Sequence, residues 1–177
     1  MCYTEIDTRL ARHRVEESAT FLAMLKRHEG AVREGGRHVA YRCPAGALTI
    51  GWGHNLDAEP LRGLGPGSTL SDTEADNLLR ADLARLAAEL DLRLPWWRGL
   101  GPARSAVLLN MAFNLGPSGL LGFRRMLKAA RNRRFDEAAA EMLDSRWAGQ
   151  VGARARELAA LMRTGVFPSP KEKGLDG

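Results

Sequence analysis

Hydrophobic positions along the chain fall mostly at helical spacing, and residues 71–93 are the clearest example. Ser71 and Glu74 match a capping box, and Pro95 lies just beyond the last periodic residue. The apolar stripe of this segment consists of Ala75, Leu78, Leu79, Leu83, Leu86 and Leu90. The segment therefore predicts one long helix.

Helical patterns also lie on both sides of this segment. Residues from about Ile6 to His28 favour a helix, and Gly30 is placed to end it, so that Glu29 lies in the last turn. Pro102 opens a helix that is apolar nearly all round, which is typical of a helix at the centre of a core. Shorter helices are predicted at about 117–121, 123–131, 135–143 and 152–163.

Between the first helix and the long one, the pattern changes to that of short strands. Residues 31–37 are polar and contain glycine, so they predict a loop, while residues 39–41 and 48–50 predict strands. Gly51 and Gly53 indicate tight turns or a close approach of the backbone. A small sheet combined with helices predicts an α+β protein with two lobes and a cleft between them.

Composition and charge narrow the class of protein only slightly. The chain has 177 residues, 45% of them hydrophobic and 27% charged, which is ordinary for a globular protein with one core or two small lobes. The net charge of +5 favours a polyanionic partner such as nucleic acid, a membrane surface or a bacterial wall. Arginine is spread along the chain and not gathered in one tract, which weakens the nucleic-acid interpretation.

The two cysteines and the N-terminal residues suggest where the protein is made. Cys2 and Cys43 form no disulfide framework and no zinc-binding spacing. The first residues lack the apolar core of a secretory signal, and no apolar run approaches the ~18 residues of a membrane span. We therefore expect synthesis in a reducing cytosol without a signal peptide, with release by another agent if the substrate lies outside.

Candidate chemistry is concentrated in residues 28–55, which contain Glu29, Cys43, Thr49 and His54. A carboxyl group at a helix C-terminus is favoured in its protonated form, so Glu29 is a candidate general acid. Cys43 with His54 as its base would instead make a cysteine amidase or peptidase. Each residue also has a structural explanation, because a solvated glutamate, an inert cysteine and a strand threonine are common.

Several motifs resemble the phage lysozymes of glycoside hydrolase family 24. The matching stretches are Glu29-Gly30, AYRCPAG, TIGWGHN, NMAFNLG, GFRRML and residues 134–165, so the resemblance covers roughly residues 18–167. Cys43 resembles the branch of the family that carries cysteine where other members carry aspartate. The resemblance implies a lysozyme-like α+β fold, mainly helical, with the long helix joining a small β-sheet lobe to a helical lobe.

The resemblance also implies hydrolysis of the β-1,4 bond between N-acetylmuramic acid and N-acetylglucosamine in peptidoglycan. It assigns site residues in three groups: catalytic Glu29, Cys43 and Thr49; supporting His54, Asp82 and Arg154; and substrate-binding Asn55, Phe113, Met126 and Glu141. In this interpretation no cofactor or metal is needed, and His54 is bonded to Asp82. The partner is peptidoglycan, with no nucleic acid and no stable membrane insertion, and the protein acts as a monomer on the wall after release from the host cytoplasm.

The same resemblance predicts the domain organisation. Residues 1–177 form one catalytic domain, with a small lobe at about 30–70 and a connecting helix at about 71–93. The helical lobe spans about 94–167 together with the N-terminal helix, and residues 168–177 form a flexible tail.

One departure from the family pattern is the length of the connection between Glu29 and Cys43. Thirteen residues separate them, whereas the spacing from Cys43 to Thr49 matches the family. We expect the longer loop to alter the rim of the cleft and substrate selectivity more than the chemistry. A wall-directed cysteine amidase and a non-catalytic lysozyme-like binding or effector protein remain as alternatives.

Overall fold

The computed structural model describes residues 14–44 and 46–168, and it confirms an α+β architecture. The α-helices of this part of the chain are α1 (Ala19–Glu29), α2 (Asp72–Arg93), α3 (Pro102–Leu121), α4 (Arg124–Arg131), α5 (Phe135–Leu143), α6 (Arg146–Val151) and α7 (Ala153–Thr164). Short 3-10 helices occur at Val15–Glu17 and Trp97–Leu100. Cys2, the predicted start of the first helix near residue 6 and the predicted tail beyond residue 168 lie outside the described residues.

The strands form two small antiparallel sheets. They are β1 (Arg33–Glu34), β2 (Arg37–Val39), β3 (Tyr41–Arg42), β4 (Leu48–Ile50), β5 (His54–Asn55) and β6 (Thr69–Leu70). One sheet has the order β1-β2-β6 and the other has the order β3-β4-β5. The second sheet is a simple meander, so its side chains come from a continuous stretch of about fifteen residues.

The prediction that residues 31–37 form only a loop is wrong. Arg33 and Glu34 pair with His38 and Arg37 in a hairpin whose turn is Gly35-Gly36, with positive φ of 54° and 79° at the two glycines. Such a turn suits the twist of paired strands. The strands escaped prediction because most of their residues are polar and exposed, which leaves no alternation of buried and exposed positions.

The first helix is shorter than predicted. Within the described residues, α1 begins at Ala19, because Ser18 is extended (ψ 123°) and its side chain caps the helix by accepting from the Phe21 amide. The helix ends at Glu29 with Gly30 as its cap, as predicted.

The long helix and the core helix match their predictions closely. Ser71 and Glu74 form the capping box in full, and α2 then runs to Arg93. The helix that opens at Pro102 continues to Leu121 across a break at Gly116, so the predicted segment 117–121 is its last turn. Helix α6 was not predicted, because it is only six residues long and its sequence has no clear periodicity.

Two hydrophobic cores explain the two lobes. The small core contains Leu48, Ile50, Leu56, Leu70 and Ala75. The large core is built from the helices and includes Leu79, Leu83, Leu86 and Leu90 of α2. Helix α2 therefore contributes to both cores in succession, and Trp52 packs against both.

Among the helices of the described residues, none is by itself both long enough and apolar enough to cross a membrane. Two consecutive helices, Pro102–Leu121 and Arg124–Arg131, are long and apolar enough for a span only when they are taken together, and the angle between them is 102°.

The position of α3 in the core gives a stability prediction. Leu109 is fully buried, and Leu92 on α2 is 84% exposed. Leu109→Ala is expected to lower the free energy of unfolding by about 2–5 kcal/mol, because it leaves a cavity in the core. The same change at Leu92 is expected to cost less than about 0.5 kcal/mol. Urea unfolding of both variants measures the difference, and equal losses would contradict this description of the core.

Candidate active site

Glu29 lies where helix α1 meets the small lobe, and its carboxylate is mostly enclosed. The side chain is 16% exposed, and its Oε1 is 2.8 Å from Nη2 of Arg154, which is itself only 8% exposed. The contact is close but poorly aligned, and Oε1 has no hydrogen-bond partner. The pair therefore places a cation beside the carboxylate and leaves that oxygen's hydrogen-bonding capacity unused.

Arg154 reaches this position from helix α7 because Asn110 on α3 holds it. Arg154 Nε donates to the Asn110 side-chain oxygen at 2.9 Å, and Nη2 donates to the Asn110 carbonyl at 3.4 Å. Asn110 is fully buried in the middle of the core helix. A buried asparagine with both of its oxygens facing one guanidinium fixes where that guanidinium lies.

Thr49 lies at the centre of the second sheet. It is opposite Tyr41 on one side and Asn55 on the other, so the three side chains share one face of the sheet. The Thr49 hydroxyl donates to the carbonyl of Ala47 at 3.2 Å, and the residue is 5% exposed. With its hydrogen used in this way, the oxygen is left to act as an acceptor.

Cys43 follows β3 directly and is half-buried. Its amide donates to the Ala47 carbonyl at 2.9 Å, and its carbonyl accepts from the Gly46 amide at 2.8 Å, so the backbone is fixed next to β4. Burial raises the pKa of the neighbouring Tyr41, and the negative charges of Cys43 and Glu29 raise it further. The sheet and the end of α1 thus bring Glu29, Cys43 and Tyr41 within electrostatic reach of one another.

His54 is buried between the small sheet and helix α2. Its Nδ1 is 2.8 Å from Asp82 Oδ2, and its Nε2 is 2.9 Å from the carbonyl oxygen of Glu59. Neither acceptor can donate, so the two contacts together require the doubly protonated ring. The hydrogen bond that His54 donates to Asp82 raises the pKa of His54, burial opposes this, and the charge of Asp82 and the hydrogen bond to the Glu59 carbonyl add to the rise.

Some of the same residues could also be considered as ligands for a metal ion. Within the described residues, potential ligand atoms of His54, Glu59 and Asp82 lie within 4.8 Å of one another. Both ring nitrogens are already partnered, and Arg85 pairs with both carboxylates. The local chemistry is that of an ion-pair cluster between a hydrogen-bonded ring and an arginine.

Phe113 and Gly53 lie beside Glu29. A methyl group built on Gly53 would be 3.2 Å from Glu29 Oε2 and 3.4 Å from the Phe113 ring. Gly53 also has φ of +98°, which side chains other than glycine rarely adopt. The close backbone approach predicted at this glycine is therefore an approach to the Glu29 carboxylate. Asn55 is exposed at the edge of the sheet, where its side-chain oxygen accepts from the amides of two following residues.

Met126 and Glu141 lie in a recess of the helical lobe whose lining does not include Glu29, Phe113 or Asn55. They line a cavity of about 490 Å³ together with Gly119, Gly122, Phe123, Arg124, Arg125, Asp144 and Ser145. Met126 is 1% exposed, and Glu141 forms an ion pair with Arg125 at 2.7 Å. The candidate substrate-binding residues thus fall into two places, one next to Glu29 and one between α4 and α5.

Two side chains near Glu29 were not singled out from the sequence. Asn110 and Tyr41 both stand inside the quoted motifs, but nothing in their spacing shows that one holds Arg154 and the other faces Cys43. Asn110 and Arg154 are 44 positions apart, a separation that no local pattern spans. An asparagine inside an otherwise apolar helix is the one available signal, because a buried amide needs a partner.

Comparison with known proteins shows which family and which relatives the chain resembles. Residues 31–164 match a family described as phage lysozyme, a segment that includes Cys43, Thr49 and Arg154 and begins two residues after Glu29. The pre-baseplate central spike protein Gp5 of Enterobacteria phage T4 is 29% identical over 166 residues, covering 82% of this chain and 28% of that protein.

Two further relatives match over shorter segments. A probable T4-type lysozyme 1 of Dictyostelium discoideum is 25% identical over 105 residues, covering 58% of this chain and 62% of that protein. An endolysin of Acyrthosiphon pisum secondary endosymbiont phage 1 is 30% identical over 97 residues, covering 54% and 56%. The chain therefore spans less than two thirds of the length of each of these relatives.

The His54–Asp82 contact gives a stability prediction with a defined pH dependence. Because the folded-state pKa of His54 is raised, its contribution is complete below the unfolded value of about 6.5 and is lost as pH rises through the folded value. Asp82→Asn is expected to lower the free energy of unfolding by about 2–3 kcal/mol near pH 5.5, and by less near pH 9. Urea unfolding at the two pH values measures this.

The control for this experiment is Asp136→Asn, which removes the same charge from a side chain that is 89% exposed and pairs with Arg163. It is expected to change stability by less than about 1 kcal/mol at either pH. A loss in Asp82→Asn that is the same at both pH values would contradict a charged His54 in the folded protein.

Proposed function

Because the chain belongs to the phage lysozyme family, we propose that it is a muramidase. In this proposal it hydrolyses the β-1,4 bond between N-acetylmuramic acid and N-acetylglucosamine in bacterial peptidoglycan. The observation that carries the proposal is the mostly enclosed Glu29 carboxylate, paired with Arg154 and facing a sheet that bears Thr49 and Cys43. The wall substrate and the role of each residue are part of the proposal.

Glu29 is the proposed general acid. Breaking a glycosidic bond requires a proton on the leaving oxygen while positive charge develops on the sugar. Glu29 Oε2 lies 3.2 Å from the position that a β-carbon would take on Gly53, and the leaving oxygen is proposed to lie on this side of the carboxylate. After the proton has left, the new carboxylate is stabilised by the Arg154 guanidinium beside Oε1. The same arginine therefore stabilises the product state of the proton transfer.

Thr49 and Cys43 are proposed to position the attacking water. The Thr49 hydroxyl uses its hydrogen on the Ala47 carbonyl, so its oxygen accepts a hydrogen from water and turns the water's lone pair towards the sugar. Cys43 lies on the same side, where its thiolate form would accept the proton that the water gives up as it attacks the sugar, or would stabilise the developing positive charge. Thr49 is the better acceptor of the two, because sulfur accepts hydrogen bonds weakly.

The substrate-binding proposal uses two surfaces. Phe113 and Asn55 border the sugar cleft next to Glu29, and Met126 with Glu141 line the separate cavity of the helical lobe. We treat the chain as a single catalytic domain of two lobes that acts as a monomer. It would be made in the host cytoplasm and act on the wall after release, since the relatives include a phage endolysin.

The geometry does not support the cysteine amidase. That mechanism needs a base beside Cys43, and both nitrogens of His54 are engaged by Asp82 and the Glu59 carbonyl. A ring held in its doubly protonated form has no lone pair with which to accept a proton from a thiol.

Substitution of Glu29 tests the proposal directly. Glu29→Gln is expected to lower the rate of peptidoglycan hydrolysis by about 100-fold or more, because an amide cannot protonate the leaving oxygen. Cys43→Ser is expected to keep an intermediate rate, since Thr49 still holds the water. Mass spectrometry of the muropeptides, together with an assay for new reducing ends, identifies the bond that is cut.

The matched control is Glu17→Gln, the same change at a glutamate that is 61% exposed and pairs with Arg14, which is expected to act at the wild-type rate. New amino ends in place of reducing ends would support the amidase. Binding to peptidoglycan without any product would support a non-catalytic binding protein. A Glu29→Gln variant that is as active as the wild type would contradict the muramidase assignment.

The close approach of Gly53 to Glu29 and Phe113 provides a second test. Gly53→Ala is expected to lower hydrolysis by about tenfold or more, because the new methyl group crowds Glu29 Oε2 and Phe113. Gly63→Ala is the control, because Gly63 has a similar φ of +83° but open space around it. Both variants are expected to lose about 1–2 kcal/mol of stability from backbone strain, and only Gly53→Ala to lose activity. Equal activities in the two variants would contradict this arrangement of the cleft.

A further inference from the structure

We propose that His28 is a positioning residue that determines how Arg154 is held against Glu29. The proposal rests on the role proposed for Glu29 above. A continuous row of contacts runs inward from helix α7 to the site: Glu157 to His28, His28 to Asn110, Asn110 to Arg154, and Arg154 to Glu29. The His28 side chain is only 6% exposed, although it neighbours Glu29 in the sequence.

The chemistry of the groups fixes the direction of every bond in this row. Arginine only donates, so the oxygen of the Asn110 amide must face Arg154, at 2.9 Å from Nε. The Asn110 amide nitrogen then faces His28 Nδ1 at 3.2 Å and donates to it. His28 Nδ1 is therefore an acceptor, and the ring proton is on Nε2, which donates to Glu157 at 2.9 Å.

Glu157 is kept as the acceptor that this arrangement needs. Burial raises the pKa of Glu157, but the hydrogen bonds from His28 and Arg27 outweigh burial and hold it below its usual value. Among the charged groups of this row, Glu157 from α7 contacts the ring directly and also pairs with Arg27, while Arg154 and Glu29 lie beyond Asn110. From α3 the ring meets the uncharged Asn110.

A second proton on His28 would break the row. It would put an N–H on Nδ1 directly opposite the Asn110 amide nitrogen, so that two donors would face each other. If the Asn110 amide turned to relieve this, its nitrogen would face Arg154, which is again a donor against a donor. In the first case the repulsion would displace the Asn110 side chain from Arg154 Nε. In the second case Arg154 would keep only the longer bond from its Nη2 to the Asn110 backbone carbonyl, at 3.4 Å.

The consequence for Glu29 follows from the poor alignment of its pair with Arg154. While Asn110 anchors the guanidinium, the Glu29 oxygen beside it receives no hydrogen bond. A released Arg154 can turn into an aligned, charge-assisted bond, which stabilises the ionised carboxylate and removes the proton donor. His28 thus keeps the acid functional in its neutral Nε2–H form and lowers the rate when it gains a second proton.

The first test is the state of the ring in the intact protein. Long-range ¹H–¹⁵N correlation spectra near pH 7.5 are expected to show His28 with a protonated Nε2 and an unprotonated Nδ1, assigned by the loss of its signals in His28→Asn. A proton on Nδ1, alone or together with one on Nε2, would overturn the proposal. This measurement needs no hydrolytic activity, so it decides the point even if the protein cuts no peptidoglycan.

The second test is the pH dependence of peptidoglycan hydrolysis. His28→Asn puts an amide oxygen near the position of Nδ1, where it accepts from Asn110 but does not titrate. The ratio of the rate near pH 5.5 to the rate near pH 7.5 is expected to rise about threefold or more over wild type. Glu157→Gln retains an acceptor but removes the charge that favours the second proton, so its acid limb is expected to move to lower pH.

The matched control is His38→Asn, the same change at a ring that is 0% exposed and lies in the small sheet against Asp72 and Trp52. Its rate ratio is expected to equal that of wild type. If His28→Asn does not fold, the shift in Glu157→Gln decides the test. A wild-type rate ratio in the folded His28 variant, an unmoved acid limb in Glu157→Gln, or the same rise in His38→Asn would each overturn the proposal.

Discussion

Helix α2 has to serve two hydrophobic cores, and the rest of the structure depends on this constraint. Ala75 belongs to the small core, and Leu79 to Leu90 belong to the large one. The polar side chains between these groups tie the sheet to the helices: Asp76 accepts from Lys26 and Trp52, and Asp82 pairs with His54. A cleft between the lobes can keep its shape because one rigid helix connects them.

The Glu29–Arg154 pair is better explained by positioning than by stability. Bringing two charges out of water costs several kcal/mol per ion, and an ion pair with imperfect alignment recovers only part of that cost. The asparagine that anchors Arg154 is itself fully buried and fully partnered. The hydrogen bonds from His28 through Asn110 to Arg154 can all form in only one arrangement of these side chains. This arrangement fixes Arg154 and, through it, the position of the cation beside the Glu29 carboxylate.

Elements that are marked by a local pattern of apolar residues or by a cap could be predicted from the sequence. Polar strands and contacts between distant residues could not. The capping box at Ser71 and the apolar run after Pro102 led to α2 and α3. The hairpin at residues 33–39 was missed because most of its residues are polar and exposed, so its paired positions show no alternation of buried and exposed side chains. Family motifs pointed to Glu29, Cys43 and Thr49, but the contact between His28 and Glu157 joins positions 129 apart and has no local signature.

The longer connection between Glu29 and Cys43 can now be placed in the fold. It is tied to the start of α2, where Arg33 and His38 contact Asp72, and Arg37 donates to Thr69 on β6. Thr49 belongs to the other sheet, Cys43 directly follows strand β3 of that sheet, and its register does not involve the hairpin. We propose that an insertion absorbed in a separate sheet alters the charge along the rim and leaves Cys43 and Thr49 at their family spacing. Variation there is therefore expected to change which walls are bound before it changes how a bond is cut.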